Sequence, residues 1–334
     1  MRAGNKKAAK RPLRKIIMDK ESKKWGYYII ALIPPLMGGV SYVISRYVIH
    51  DISPITLVFY RFLGALILLT PFAIRPFLKE ITSIHANIRI LFIMGISGVT
   101  LFNMFVYYAV HYTTSTNVSI IVSIFPVFVI GLGVVISKDK LEKTQIFSIL
   151  FSFLGVLIIL SQGQIFKSIS TLFSNIGDFI ALGAAICWAI YIFATKFKPK
   201  DMSFMSLSYA PMLIGTILIL PAYLFDIYYL KNTFTINLQT LSVIFCLGLG
   251  VSIIGMMTLN VSVVKIGPNL SSILYYTAPL FTAIMAVMIL NERFEFFHFI
   301  GMIIILFGIN IPILVRFLPK KKLEADLEVL SNEL

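Results

Sequence analysis

Asn103, Tyr107 and His111 stand four residues apart in an otherwise apolar run. That spacing stacks them on one helical face. Similar columns recur: Gly38, Ser41 and Ser45; Trp188, Tyr191 and Thr195; Ser115, Ser119 and Ser123; and Ser272 with Tyr276, Tyr275 lying beside it. Asn260 is a second isolated amide, and Arg61 is a cation about seven residues, or ~10 Å, inside its run. Amides, hydroxyls, indole and guanidinium are binding chemistry rather than bond-breaking chemistry. Two opposed aspartates and a His-Glu-x-x-His pattern, which intramembrane proteolysis would need, are both missing, and no histidine lies deep enough to serve a serine. No catalytic residue is therefore assigned. Cys187 and Cys246 read as small buried hydrophobes, and neither a metal cluster nor a cofactor motif can be drawn.

Each of these residues has a plain reading beside the sharp one. The serines fit close helix packing through small side chains. Asn103 and Asn260 must place two donors and an acceptor each, on neighbours or on a ligand. Tyr107, Tyr191, Tyr275, Tyr276 and Trp188 are core aromatics or the walls of a cavity. Arg61 ties helices together or attracts a carboxylate or phosphate. His111 fits a satisfied terminal group, Lys196 and Lys265 fit snorkelling anchors, and Asp178 suits the positive end of a helix.

The elements that position these groups follow from composition. Of 334 residues, 58% are hydrophobic and only 13% charged, far too apolar for a soluble domain. A hydrocarbon core of about 30 Å takes about 20 apolar residues of helix. Ten such runs are predicted, at 27–46, 54–74, 90–111, 115–137, 144–162, 177–196, 204–225, 241–265, 268–290 and 297–317. They are apolar on every face, which excludes a transmembrane barrel. With the amino terminus inside, 24 of the 29 lysines and arginines fall in cytoplasmic segments, so both ends are expected in the cytoplasm. The net charge of +14 is then mostly topology. The basic tail 1–25 could rest on anionic lipid, and no nucleic-acid partner is expected because no folded basic domain accompanies it.

The sequence is duplicated. A shift of 153 lays TNVSIIVSIFP (116–126) over NLSSILYYTAP (269–279), Gly95 over Gly248 and Gly155 over Gly308. A shift of 150 lays LMGGVSYVISR (36–46) over ICWAIYIFATK (186–196) and SPITL over SFMSL. Two repeats are expected at 26–162 and 177–317, joined by a loop at 163–176 and followed by a tail at 318–334. Five helices per repeat force the copies to face opposite ways, an arrangement of secondary transporters. Pro126 and Pro279 fall mid-span at equivalent depth, a hinge or cavity device, and should leave the carbonyls of Val122 and Tyr275 partly unpaired.

These residues resemble the EamA-like branch of the drug/metabolite transporter superfamily. The resemblance rests on five plus five helices, GGVSYVISR and WAIYIFATK, the Arg61-Phe62 pair, NVSIIVSIFP and NLSSILYYTAP, and an acid after the fourth and ninth helices (Asp139, Glu292). It covers residues 26 to 317. It implies an all-α, alternating-access carrier with a cavity lined by the first, third, fourth, sixth, eighth and ninth helices, often an exporter. One departure is Gly38, where the family usually has tryptophan, matched here by Trp188; the glycine should widen the first-half side of the cavity.

The expected function is a transporter of a small neutral or zwitterionic metabolite, amino-acid-like or similar, by export or exchange. No Asp or Glu lies near mid-span, so a carboxylate proton relay has no candidate. The expected location is the cytoplasmic membrane of a bacterium, and a monomer and a homodimer both fit. A nucleotide-sugar or sugar-phosphate antiporter is the alternative carrier, which should need more cations than Arg61 alone. A non-transporting receptor or an intramembrane enzyme is the alternative of another class.

Overall fold

Apolar segments in a bilayer must satisfy their backbone groups internally, which favours helix throughout. In the computed structural model the described residues are 26–48, 51–140, 142–160, 176–232, 237–290 and 296–317, and among them there is helix but no strand. The tails 1–25 and 318–334, the connecting loop up to residue 175, and Glu292 lie outside the described residues.

Eight helices among the described residues are long and apolar enough to cross a membrane: α1 (Gly26–Tyr47), α2 (Pro54–Lys79), α3 (Ile88–Tyr112), α4 (Ser115–Ser137), α6 (Ile176–Thr195), α7 (Phe204–Tyr228), α8 (Leu238–Ile266) and α9 (Pro268–Leu290). The runs predicted at 144–162 and 297–317 correspond to α5 (Lys143–Leu160) and α10 (Phe296–Phe317), which pack along each other with Phe151 edge-on to Phe307. Helix starts use side-chain oxygens as caps: Ser53 accepts from the Thr56 amide, Thr114 from Asn117 and Ser203 from Ser206. Gly267, at φ +91°, makes the turn from α8 into α9, a conformation that favours glycine.

The helix breaks recur in register. α4 is interrupted at Ser123–Ile124, and α9 passes through a 3₁₀ turn at Tyr275–Thr277. Pro126 and Pro279 then sit second in new helical segments, Phe125–Ser137 and Ala278–Leu290. A proline in a first turn lacks only an N–H that would have no intrahelical partner anyway. The free carbonyl expected at Tyr275 is not found: it accepts from the Ala278 amide, because the tighter turn restores an i→i+3 bond. α3 and α8 each contain a π-helical stretch, Gly95–Leu101 and Leu247–Gly255.

The packing exchanges the two halves. α1 lies against α8 and α9, while α6 lies against α3 and α4; α2 meets the π stretch of α8, and α7 that of α3; α2 and α7 pack on each other. The glycine pair seen in sequence is realised at these crossings. A Cβ on Gly95 would stand 3.0 Å from the Pro211 carbonyl oxygen, and one on Gly248 would stand 3.2 Å from that of Arg61. Pro211 and Arg61 are themselves matched by the shift of 150.

Candidate substrate-binding site

The π stretch of α3 prepares the site. Wider turns leave carbonyls off the regular ladder, and Asn103 Nδ2 donates to two of them, Gly98 O at 3.0 Å and Val99 O at 2.9 Å. With its amide fixed this way, the Asn103 Oδ1 faces Arg61.

Arg61, 3% exposed, is the hub. Its Nε donates to Ser252 Oγ at 2.7 Å. Its Nη1 reaches Tyr107 OH at 2.6 Å, Asn103 Oδ1 at 3.0 Å and Ser41 Oγ at 3.3 Å. Ser41 Oγ and Tyr107 OH are 3.3 Å apart. Four helices, α1, α2, α3 and α8, thus converge on one guanidinium. Its plane also lies 4.9 Å from the Phe62 ring centre, within cation–π range.

The second half holds a counterpart without a charge. Tyr191 OH donates to Asn260 Oδ1 at 2.9 Å, and Asn260 Nδ2 donates to Ser208 Oγ at 2.9 Å. Ser41 and Tyr107 are matched by Tyr191 and Asn260 under the two shifts, so the large and small partners have changed helices.

Between the two networks is a cavity of about 30 Å³, lined by Gly38, Ser41, Arg61 and Asn103 on the polar side and by Phe102, Trp188 and Tyr275 on the aromatic side. That volume leaves room for one or two waters. Trp188 stacks on Phe102 at 4.3 Å and on Tyr191 at 5.3 Å, and lies 6.1 Å from Tyr275. Phe125, beside the α4 break, meets Tyr275 edge-on at 5.2 Å.

Several expectations change here. Gly38 does not widen the cavity: a Cβ there would stand 2.6 Å from the Tyr275 hydroxyl, so Tyr275 fills the space a side chain leaves. α2 lines the cavity through Arg61 and Phe62, whereas α4 contributes no lining residue. Tyr276 is not at the cavity; it packs with Tyr28, Ile120 and Ile273, because neighbouring residues in a helical turn point about 100° apart. Tyr107, Tyr191 and Asn260 stand one step behind the lining. The serine stripes bond within their own helices, Ser119 to the Thr116 carbonyl, Ser123 to that of Ser119 and Ser272 to that of Pro268. His111 is exposed. Cys187 is buried, but Cys246 is exposed on the outer surface of α8 rather than buried. Lys196 pairs with Asp139 at 2.6 Å instead of standing alone, and Lys265 covers the Tyr27 ring at 5.7 Å.

Sequence reasoning missed two acids. Asp226, 1% exposed, closes α7 and accepts from Ser53 Oγ, from Thr56 Oγ1 at 2.9 Å and from Asn232 Nδ2 at 2.9 Å. Glu80, at the other end of the α2–α7 pair, accepts from Ser203 N at 3.0 Å and Ser203 Oγ at 3.2 Å. The aligned cap serines Ser53 and Ser203 are therefore each clasped by an acid from the partner helix. Only the serines were visible as a repeat; their acids are distant in sequence and do not align with one another.

The doubled helical architecture has known relatives. Residues 25–161 and 175–313 each match the profile described as the EamA-like transporter family. The chain belongs to that family. An uncharacterized transporter of Archaeoglobus fulgidus is 30% identical over 286 residues, covering 84% of this chain and 95% of the relative. The uncharacterized transporter YyaM of Bacillus subtilis is 25% identical, covering 86% and 93%. A protein of known crystal structure shares the fold, with a TM-score of 0.62 and 15% identity over 87% of this chain and 98% of the other. This EamA-family chain is thus a multi-pass membrane transporter, and a transporter of this family implies a small-molecule substrate. The transporter names of its relatives accord with a non-enzyme.

Proposed function

We propose that this EamA-family transporter moves a small organic, amino-acid-like metabolite by alternating access, as exporter or exchanger. In this reading α1–α5 and α6–α10, residues 26–162 and 177–317, are two inverted five-helix repeats, and all ten helices span the membrane. Both termini face the cytoplasm in the inner membrane of a bacterium. Ser41, Arg61, Asn103, Trp188 and Tyr275 meet the substrate, while Tyr107, Tyr191 and Asn260 hold the walls in position. Pro126 and Pro279 mark the hinges.

The observation that carries this reading is the pair of matched helix breaks, Ser123–Ile124 and Tyr275–Thr277, flanking a cavity too small for any organic molecule. A cavity of that size must widen to be loaded, and equivalent bends in two halves would let it widen toward either face by the same motion. Exchange without a carboxylate relay is supported by the site itself, where every hydrogen-bond partner of Arg61 is neutral.

Saturable counterflow of a labelled metabolite in proteoliposomes is the expected behaviour; linear, unsaturable flux would indicate a pore instead. Cysteine labelling tests the inversion. Residues 138–143 and 291–296 should be reached from opposite sides of the membrane, and labelling from one side would end the proposal.

A further inference from the structure

The cavity wall carries donors without partners, while its serine and asparagine oxygens are already engaged. Arg61 spends Nε and Nη1 on neutral groups and leaves Nη2 with no hydrogen-bond partner among the described residues. Trp188, 6% exposed, lines the cavity, and its indole N–H is buried without a partner among the described residues. Tyr42 also lines it, with its hydroxyl equally unpartnered. Two side-chain acceptors on the wall are occupied, Ser41 Oγ and Asn103 Oδ1 accepting from Arg61, and Asn103 Nδ2 is committed to backbone.

The charge is likewise unbalanced. Among the described residues the ion pair is Lys196 with Asp139, far along the chain from Arg61. Asp226 and Glu80 are held at the helix caps. A guanidinium away from water and without a counter-charge is costly, and neutral acceptors offset that cost only in part.

We infer that the cavity recognises its substrate by a carboxylate, received by Arg61 Nη2, the Trp188 indole N–H and the Tyr42 hydroxyl, with the rest of the molecule against Phe102 and Met37. This rests on the carrier reading of the same cavity. A carboxylate offers about four acceptor sites in a compact group, enough for three donors carried by residues of one lining. Its single charge equals that of one guanidinium, whereas a phosphate dianion would leave one negative charge unmatched. No acid lines the wall to receive an ammonium, so an α-amino group is not required for binding.

Matched acid and amide probes test this with the full chain in nanodiscs: phenylacetate against phenylacetamide, and isovalerate against isovaleramide. Trp25 and Trp188 are the two tryptophans, so Trp25→Phe makes fluorescence report on the cavity. Each acid should bind at least tenfold more tightly than its amide. Arg61→Gln should erase that preference. Trp188→Phe, read by thermal shift, and Tyr42→Phe keep the rings and should each weaken acid binding severalfold, and weaken it more than they weaken amide binding, because a charged acceptor loses more than a neutral one. These two variants decide the matter even if Arg61→Gln does not fold. Equal binding of acid and amide overturns the inference, as does preference for inorganic phosphate over every carboxylate. The carrier reading is separable: saturable counterflow of an amide would leave it standing while removing the carboxylate, and acid binding without flux would do the reverse.

Discussion

Gly98 is where the π stretch of α3 allows α6 to approach, and adding one methyl group there measures how tightly the aromatic wall is held. A Cβ on Gly98 would lie 2.2 Å from Cδ2, 2.5 Å from Cγ and 2.8 Å from Cβ of Tyr191. Tyr191 has no room to yield: it is fully buried, stacked on Trp188, and donates its hydroxyl to Asn260 at 2.9 Å. Two outcomes are open to Gly98→Ala. If the backbones separate, overpacking costs about 1–3 kcal/mol. If the ring leaves, the molecule forfeits a membrane-buried hydrogen bond of about 0.6 kcal/mol and an aromatic contact of about 0.5–1.5 kcal/mol. Both routes come to about 2 kcal/mol. Alanine also gains about 1 kcal/mol of helix propensity over glycine, which would mask half of the effect in the single variant. A double-mutant cycle with Tyr191→Ala removes that difficulty, since the propensity gain appears on both sides and cancels. The expected coupling is up to about 2 kcal/mol, with Gly98→Ala harmful when Tyr191 is present and much less so with Tyr191→Ala, where only the retained Cβ, 2.8 Å away, still has to shift. Unfolding free energies from denaturant titration in mixed micelles give the four values. Gly131→Ala is the control, because nothing lies within 4 Å of its added Cβ. Additivity within about 0.5 kcal/mol would refute the close approach of α3 and α6 on which the site is built.

Asn260→Ala strands the Tyr191 hydroxyl and removes a donor from Ser208, and Asn103→Ala strips Arg61 of an acceptor; each should lower counterflow more than Ser119→Ala, whose hydroxyl only returns to its own helix. Asp226→Ala should cost about 1–3 kcal/mol, since Ser53, Thr56 and Asn232 all donate to that buried carboxylate, as read by the same titration. Asp139→Asn should change stability by less than about 1 kcal/mol, because its pair with Lys196 has side chains 30% and 31% exposed and water screens it.

The helices were legible because membrane spans announce themselves by length. The runs expected at 115–137 and 268–290 coincide with α4 and α9, and the others differ by a few residues at their ends. Those few residues hid Asp226: the run was closed at 225, where hydropathy falls, yet α7 continues to Tyr228 and folds the acid onto the cap of α2. The matched prolines showed that each span bends, but not how the backbone repairs itself, because that depends on the 3₁₀ turn around Tyr275. The π stretches left only a trace, the pair Gly95 and Gly248. Tyr275 and Tyr276 could not be separated by stripe counting, since both lie in the 3₁₀ turn, where the twist departs from the α-helical spacing that the count assumes. Gly38 was misread for a different reason. An empty position in sequence is not an empty place in a packed interior, and a residue from α9 occupies it.

The two halves share backbone devices and differ in side chains, and the division corresponds to two kinds of work. Helix breaks, π stretches and serine caps recur in register. These features decide where a helix bends or slides, so their recurrence gives both faces of the molecule the same mechanical options. The side chains at matching depths have instead diverged in complementary pairs: Ser41 for Tyr191, Tyr107 for Asn260, Gly38 for Trp188, Arg61 for Pro211. Each exchange moves volume or charge from one half to the other. A symmetric lining would have two cations repelling across a few ångströms, or none. The diverged lining has one charged end and one aromatic end, which orients a bound molecule. In the alternating-access proposal, orientation must survive the change from one open face to the other, and a single anchor such as Arg61, bonded to α1, α3 and α8 at once, would stay with the substrate while the bent helices on either side of it exchange roles.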